Sequence, residues 1–160
     1  MKRNILLLIL ALGVFVGCAN RALVTTQTSL PKENMSISLF QLKNYTDTPR
    51  AGMRSSNIIE GILLTKGYQV TSHIFDDVYT FNKAKQRAKE DNSKYFFIGG
   101  VSEWRYKTGI DGEPAVSLQC SIYTTNDGQL VWSATGANSD WGNASIGTTA
   151  QNLIQTMMID

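Results

Sequence analysis

Histidine occurs once, at His73, and cysteine twice, at Cys18 and Cys120, among 160 residues. Zinc sites and Cys–His or Ser–His nucleophiles need such residues in sets, and no second ligand type clusters with His73 along the chain. His73 is therefore read as a structural or surface histidine, and neither a metal nor a cofactor is expected. A surplus of one charge is missing too, since 15 basic residues stand against 13 acidic ones. Nucleic-acid binding calls for a clear positive excess, so no such partner is expected. No apolar run reaches the roughly 20 residues that a membrane-crossing helix needs; the longest candidate, Ile5 to Val16, falls short. The glycine-rich GIDG at 109–112 lacks the lysine and spacing of a phosphate-binding loop.

What the chain does have begins at its start, MKRNILLLILALGVFVGCAN. Lys2 and Arg3 form a basic region, an apolar stretch follows, and small Gly17 precedes Cys18. This layout resembles a bacterial lipoprotein signal. The resemblance implies diacylglycerol on the Cys18 sulfur, cleavage before Cys18 and an acylated new N-terminus. Two or more acyl chains give stable anchoring, each buried methylene adding about 0.8 kcal/mol. Ala19 rather than Asp follows the cysteine, which by the sorting analogy points to the periplasmic face of the outer membrane. Loss of Lys2 and Arg3 with the leader would bring the two charge signs into balance. Cys120 would then be the one free thiol, with no intrachain disulfide to form.

The expected division is residues 1–17 as signal peptide, 18–34 as a lipidated tether and 35–160 as a single domain. Arg21 to Asn34 is polar and Thr-rich and contains Pro31, as a tether would be unless it packs down. Met35 to Leu42 alternates as a strand does. Thr48 and Pro49 are expected to open a helix, as cap and first residue, with Met53, Ile58, Ile59, Ile62 and Leu63 inward and Gly67 as its stop. Tyr68 to Ser72 is a short strand. A second helix over about Thr80 to Asn92 turns Phe81, Ala84 and Ala88 inward, with Lys83, Lys85, Arg87 and Lys89 on its solvated face.

Lys94 to Lys107 is the longest strand candidate, its first half apolar on both faces as a covered central strand would be. Gly99 and Gly100 suit a bulge or close backbone packing. Ala115 to Thr125 alternates, placing Cys120 inward as a buried small hydrophobe. Asn126-Asp127-Gly128 is a hairpin turn leading into Gln129 to Gly136. A last helix spans about Asn143 to Ile159. The order β-α-β-α-β-β-β-α predicts an α/β (α+β) fold: a mixed, partly antiparallel sheet with helices packed on its faces.

Paired acids occur in loops, Asp76-Asp77 and Asp111/Glu113. Glycosidase chemistry needs two carboxyls held across a sugar bond, whereas loop acids of this kind are usually soluble turn residues. No enzyme is expected. In the ribbon EWRYK, Glu103, Arg105 and Lys107 share one side of a strand and Trp104 and Tyr106 the other. Arginine suits fixed bidentate contacts, so Glu103, Trp104, Arg105 and Tyr106 are candidate subunit-interface or pore residues, on a strand expected to project into a neighbour.

VSEWRYKTGIDGEPAVSLQ, followed by GQLVWSATGANSDWG and TAQNLI, resembles the PelC family, the outer-membrane lipoproteins of Pel exopolysaccharide export. The stretch after NYTDTPRAG is similar as well, and the likeness runs from about Met35 onward. It implies a non-enzymatic lipoprotein that forms a dodecameric ring beneath the outer membrane, beside a β-barrel exporter, guiding a cationic, amino-sugar-rich polymer into the channel. Trp141 matches the tryptophan placed at the membrane interface, and Arg105 the arginine of the ribbon. Read from the residues alone, Trp141 could instead staple the start of the last helix. SDWGNAS carries Asp140 and Asn143 where the family is more basic, which weakens the expected headgroup attraction. Asp111 and Glu113 are the expected polymer-guiding acids, with Asp76 and Asp77 as the alternative. More remotely the domain resembles curli-secretion lipoproteins and activators of peptidoglycan synthases, and such an activator is the second functional expectation.

Overall fold

The computed structural model describes residues 22–32, 35–108, 112–141 and 143–159; the signal, Cys18 and Asp111 lie outside them. The elements are β1 (Leu23–Gln27), β2 (Ser36–Phe40), β3 (Lys43–Asn44), α1 (Ala51–Thr65), β4 (Gln69–His73), α2 (Phe81–Glu90), β5 (Tyr95–Tyr106), β6 (Pro114–Thr124), β7 (Leu130–Ser139) and α3 (Ile146–Met157). The strands form one mixed sheet in the order β1-β7-β6-β5-β2-β4, with β3 also paired to β5. One half is parallel, β4-β2-β5, and the other antiparallel, β5-β6-β7-β1. The fold class is therefore as the alternation predicted.

Topology decides which face each helix covers. The chain steps from β2 outward to β4 through α1, then back across β2 to β5 through α2. Right-handed crossovers taken in opposite directions place their helices on opposite faces. The cores agree: Ile59 and Leu63 of α1 and Leu153 and Ile154 of α3 pack with Phe97, Val116, Leu118 and Trp132 in one large cluster. Ala84 and Ala88 of α2 meet Phe40 and Phe96 in a smaller one. Phe96 and Phe97, adjacent on β5, thus point into different cores. Because α2 is short and packs over β2 and β5, the part of its face formed by β6 and β7 stays open, with Gln119, Thr135 and Ala137 exposed.

Several expectations are corrected. The stretch 21–34 is not all tether: Leu23 to Gln27 pair with β7 as an edge strand, Leu23 opposite Ala137 and Val24 opposite Gly136. Val24 packs onto the main core, which is what holds this segment down. Thr48 does not cap α1, because its hydroxyl donates to Trp104 O instead. The N-cap is Arg50, at φ 60°, and the helix begins after Pro49 at Ala51. Gly67 does end α1, at φ +84°. Of the two expectations for Gly99 and Gly100, close packing holds, since a Cβ on Gly99 would lie 2.2 Å from Gln119 O, and the bulge falls instead between Val101 and Glu103.

Helix α1 sits unusually close to the chain at Leu42. A Cβ on Gly52 would lie 2.0 Å from Leu42 O. Ser56 stands one turn on, its hydroxyl accepting from Leu42 N at 2.9 Å and donating to Gly52 O. Small residues here are a packing requirement that periodicity alone does not reveal.

Candidate functional site

Past the bulge, β5 leaves its β2 and β3 neighbours behind and continues as an edge ribbon beside β6, which still pairs with β7 on its other side. Alternation sorts its side chains as expected, but their availability differs. Trp104 is 2% exposed and belongs to the main core, so it is a packing residue of its own protomer and not a contact for a neighbour. Tyr106 is half exposed, and its hydroxyl accepts from Ile146 N at 3.2 Å. It thereby occupies one of the amide donors that every helix start leaves open. The ribbon's inner face thus meets α3 at Trp104 and Tyr106. On the outer face, opposite Ser117 and Ala115, Glu103 and Arg105 pair with each other at 3.0 Å. Lys107 pairs with Glu113 at 3.4 Å, so of the Asp111/Glu113 pair the member within the described residues already faces a cation. Such exposed pairs are worth little and exchange readily for others.

Trp141 lies in the β7–α3 loop at the same end of the sheet and is 61% exposed. The loop is ordered by Trp141 N donating to Asp140 Oδ1 at 2.9 Å and Ala144 N donating to Trp141 O at 2.9 Å. Ser145 caps α3, its Oγ accepting from Thr148 N at 3.0 Å.

His73 is 5% exposed and stacked on Phe40 at 4.9 Å. Its Nε2 lies 2.7 Å from Asp91 Oδ2 and its Nδ1 3.0 Å from Asp76 Oδ2. Ionised carboxylates only accept, so a ring nitrogen that carries a proton donates to the carboxylate it faces. Ser38 Oγ donates to Asp91 Oδ2 at 2.6 Å, and Ser93 Oγ lies 2.9 Å away. The serine thus bonds the carboxylate rather than the imidazole, and no nucleophile–base pair forms in this cluster. Donation from His73 holds the Asp76 carboxyl below the usual range, assisted by Tyr79. Asp77 does not join this network. Burial pushes the Cys120 thiol up to about 12, as a core hydrophobe rather than a nucleophile.

One feature was not singled out from sequence: the loop Asn44 to Thr48. Asn44 Oδ1 accepts from Thr46 N at 3.0 Å and Thr46 Oγ1 at 2.8 Å, while Asn44 Nδ2 donates to Thr48 O at 2.8 Å. Thr48 N donates to Thr46 Oγ1 at 3.1 Å, and Tyr45 N to Val101 O at 2.9 Å. The short polar residues turn inward and leave Tyr45 and Asp47 outside, Tyr45 at 68% exposure. The signal was legible as N-x-T-x-T, a run able to bond its own backbone.

No family model matches the sequence, and no curated protein matches it. Solved structures do. A PelC dodecamer from Paraburkholderia phytofirmans is 30% identical with a TM-score of 0.75, covering 86% of this chain and 94% of that one. Lipoprotein GNA1162 from Neisseria meningitidis is 15% identical with a TM-score of 0.60, covering 76% of this chain and 93% of that one. The LpoB C-terminal domain from Salmonella enterica is 17% identical with a TM-score of 0.50, covering 68% and 86%. The last two share the fold; the first, at its identity and coverage, decides the family. The chain belongs to the PelC family.

Proposed function

We propose that this protein is a lipid-anchored subunit of an outer-membrane exopolysaccharide export complex, assembling as a homo-oligomeric ring that leads a cationic polymer to a β-barrel channel. The family relationship supports it, and one observation of geometry carries its orientation. Strand β1 starts opposite Ala137, so the chain leading back toward Cys18 leaves the sheet at the end where Trp141 lies. Five residue steps separate Cys18 from Leu23, a reach of about 18 Å at most. Acyl chains on Cys18 would hold this end against the bilayer, where Trp141 offers an apolar ring with one polar N–H. Exposed Leu23 stands at the same end.

On this reading Arg105 and Glu103 exchange partners across the subunit boundary, with Tyr106 beside them, and Asp111 with Glu113 lies along the polymer path. Asp76 is committed to His73 and Tyr79, which weakens the alternative acids. A regulator that must reach the cell wall fits less well, because β1 takes up much of the tether such a role would need.

The test is the mass and shape of the full chain in detergent. Closed rings are expected, and Arg105→Ala is expected to shift them toward smaller species. Monomers alone at high concentration would overturn the ring. Cys18→Ser is expected to lose acyl label and leave the outer-membrane fraction; acylation of that variant would overturn the anchor.

A further inference from the structure

We infer that Tyr45 and Asp47 form the centre of a saccharide-binding track across the open face of the sheet, taking a glycan that carries both neutral and free amino sugars. The inference rests on the export reading for its biological ligand and on the following geometry for the site.

Tyr45 is exposed but not loosely placed. Its backbone is tied to β5, and its ring lies on the sheet at Gly100, where an added Cβ would stand 2.6 Å from Tyr45 Cε2. The hydrogen bonds of Asn44, Thr46 and Thr48 fix the loop on either side. A large aromatic held open on a rigid support costs little entropy to bind against.

Two hollows flank this ring, and both are lined by Tyr45 and Ser102. The first, of about 330 Å³, has Gln119 and Ser121 on its floor and Tyr79, Phe81 and Tyr123 on its walls; Lys43 is the one charged residue lining it. Its size is at the lower end of small-ligand sites, roughly 300–1,000 Å³. Aromatic walls with amide and hydroxyl groups beneath suit the apolar face and hydroxyls of a neutral pyranose ring. The second, of about 450 Å³, is lined by Asp47, Glu103 and Arg105. Arg105 is taken by Glu103, and among the described residues Asp47 has no ion pair. The uncompensated charge is a carboxylate, which suits the ammonium of an amino sugar. Tyr45 is the shared ridge, so adjacent sugars of one chain would meet first a surface without carboxylates and then an acidic one. A nucleic acid would need cations where the track offers one lysine.

The experiment is calorimetry on the full chain in detergent with two probes, a tetramer of N-acetylglucosamine and the same tetramer with half its acetyl groups removed. Both are expected to bind, the second more tightly and with salt sensitivity. Tyr45→Ala is expected to weaken both by about tenfold, while Tyr45→Phe stays within about threefold. Asp47→Asn is expected to weaken the half-deacetylated probe alone, by about two- to fivefold, and to remove its salt dependence. Melting curves of each variant exclude unfolding as the cause, and Tyr45→Phe keeps the packing in any case.

Absence of binding by the wild type at millimolar probe, or equal binding by Tyr45→Ala, would overturn the track. So would loss of the ring in Tyr45→Ala, which would make this face a contact between copies. An intact ring that ignores both probes removes the track and leaves the assembly reading. Monomers that bind them do the reverse.

Discussion

Replacing Asp91 with alanine tests whether the His73 cluster is a structural device. Asp91 closes α2 as its C-cap, where the helix dipole disfavours negative charge by about 0.3–1 kcal/mol. Its carboxylate is nonetheless kept, 8% exposed, with Oδ2 accepting from His73 and Ser38. Arg87 is more distant, at 3.8 Å from Oδ1. Truncation leaves two buried donors without their acceptor, and each such loss costs about 1–3 kcal/mol. Ser38 can turn to Ser93 Oγ and recover part of this; His73 Nε2 has no comparable fallback among the described residues. Relief of the dipole conflict offsets a few tenths more. The net expectation is a loss of about 2–4 kcal/mol, or roughly 5–15 °C in melting temperature for a domain of this size. Asp91→Asn, which keeps one acceptor, should lose about half as much. Urea unfolding at constant slope is the assay, with a double-mutant cycle against His73→Phe to isolate the pair. A cost below about 0.5 kcal/mol for Asp91→Ala, with no coupling to His73, would refute the reasoning.

Trp141→Ala should leave the melting temperature within about 1 °C, since the ring is largely exposed, yet weaken liposome binding; a lower melting temperature with unchanged binding would favour the helix-stapling role instead. Gly52→Ala places a methyl 2.0 Å from Leu42 O and should cost at least about 2 kcal/mol in unfolding, despite alanine's better helix propensity. Cys120, followed with a disulfide reagent in the Cys18→Ser chain, should stay unreactive at pH 8 until denaturant unfolds the protein. Asp76 has a folded-state value below its ordinary 3.8, so its contribution is present above that pH and disappears as pH falls through the lowered value. Asp76→Asn and wild type should therefore differ in stability at pH 7 and converge as pH falls through that lowered value, the gap staying small because the carboxylate is half exposed.

Period-two alternation was enough to assign Val116, Leu118, Cys120 and Ile122 to one core face, and double-sided apolarity marked β5 as central. These signals are strong because burial enforces them at every second residue. Thr48 misled because a capping hydroxyl and a hydroxyl bonding a distant strand look alike in sequence; Trp104 O won it. β1 was hidden for a related reason. LVTTQ is short and half polar, as an edge strand with one covered face must be, and its partner lies at the other end of the chain. Asp91 reads as a solvated helix end until β2 and β4 bring Ser38 and His73 to it. For the ribbon, alternation gave the faces, but only packing shows that Trp104 is enclosed and that Lys107 already faces Glu113.

The pairing of Val24 with Gly136 joins positions near the two ends of the domain, and that sets a temporal order. Closing so long a loop is entropically unfavourable until the intervening sheet exists, so β1 docks late, onto a surface that β5, β6 and β7 have already built. The reverse holds for opening. A five-residue strand with a single paired edge is the natural first piece to detach, well below the energy that unfolds the rest. Amide exchange should accordingly be graded across the sheet, with Leu23 to Gln27 least protected and the centre of β5 most, and the slow steps of folding should report on the assembly of its neighbours before the N-terminal segment is captured.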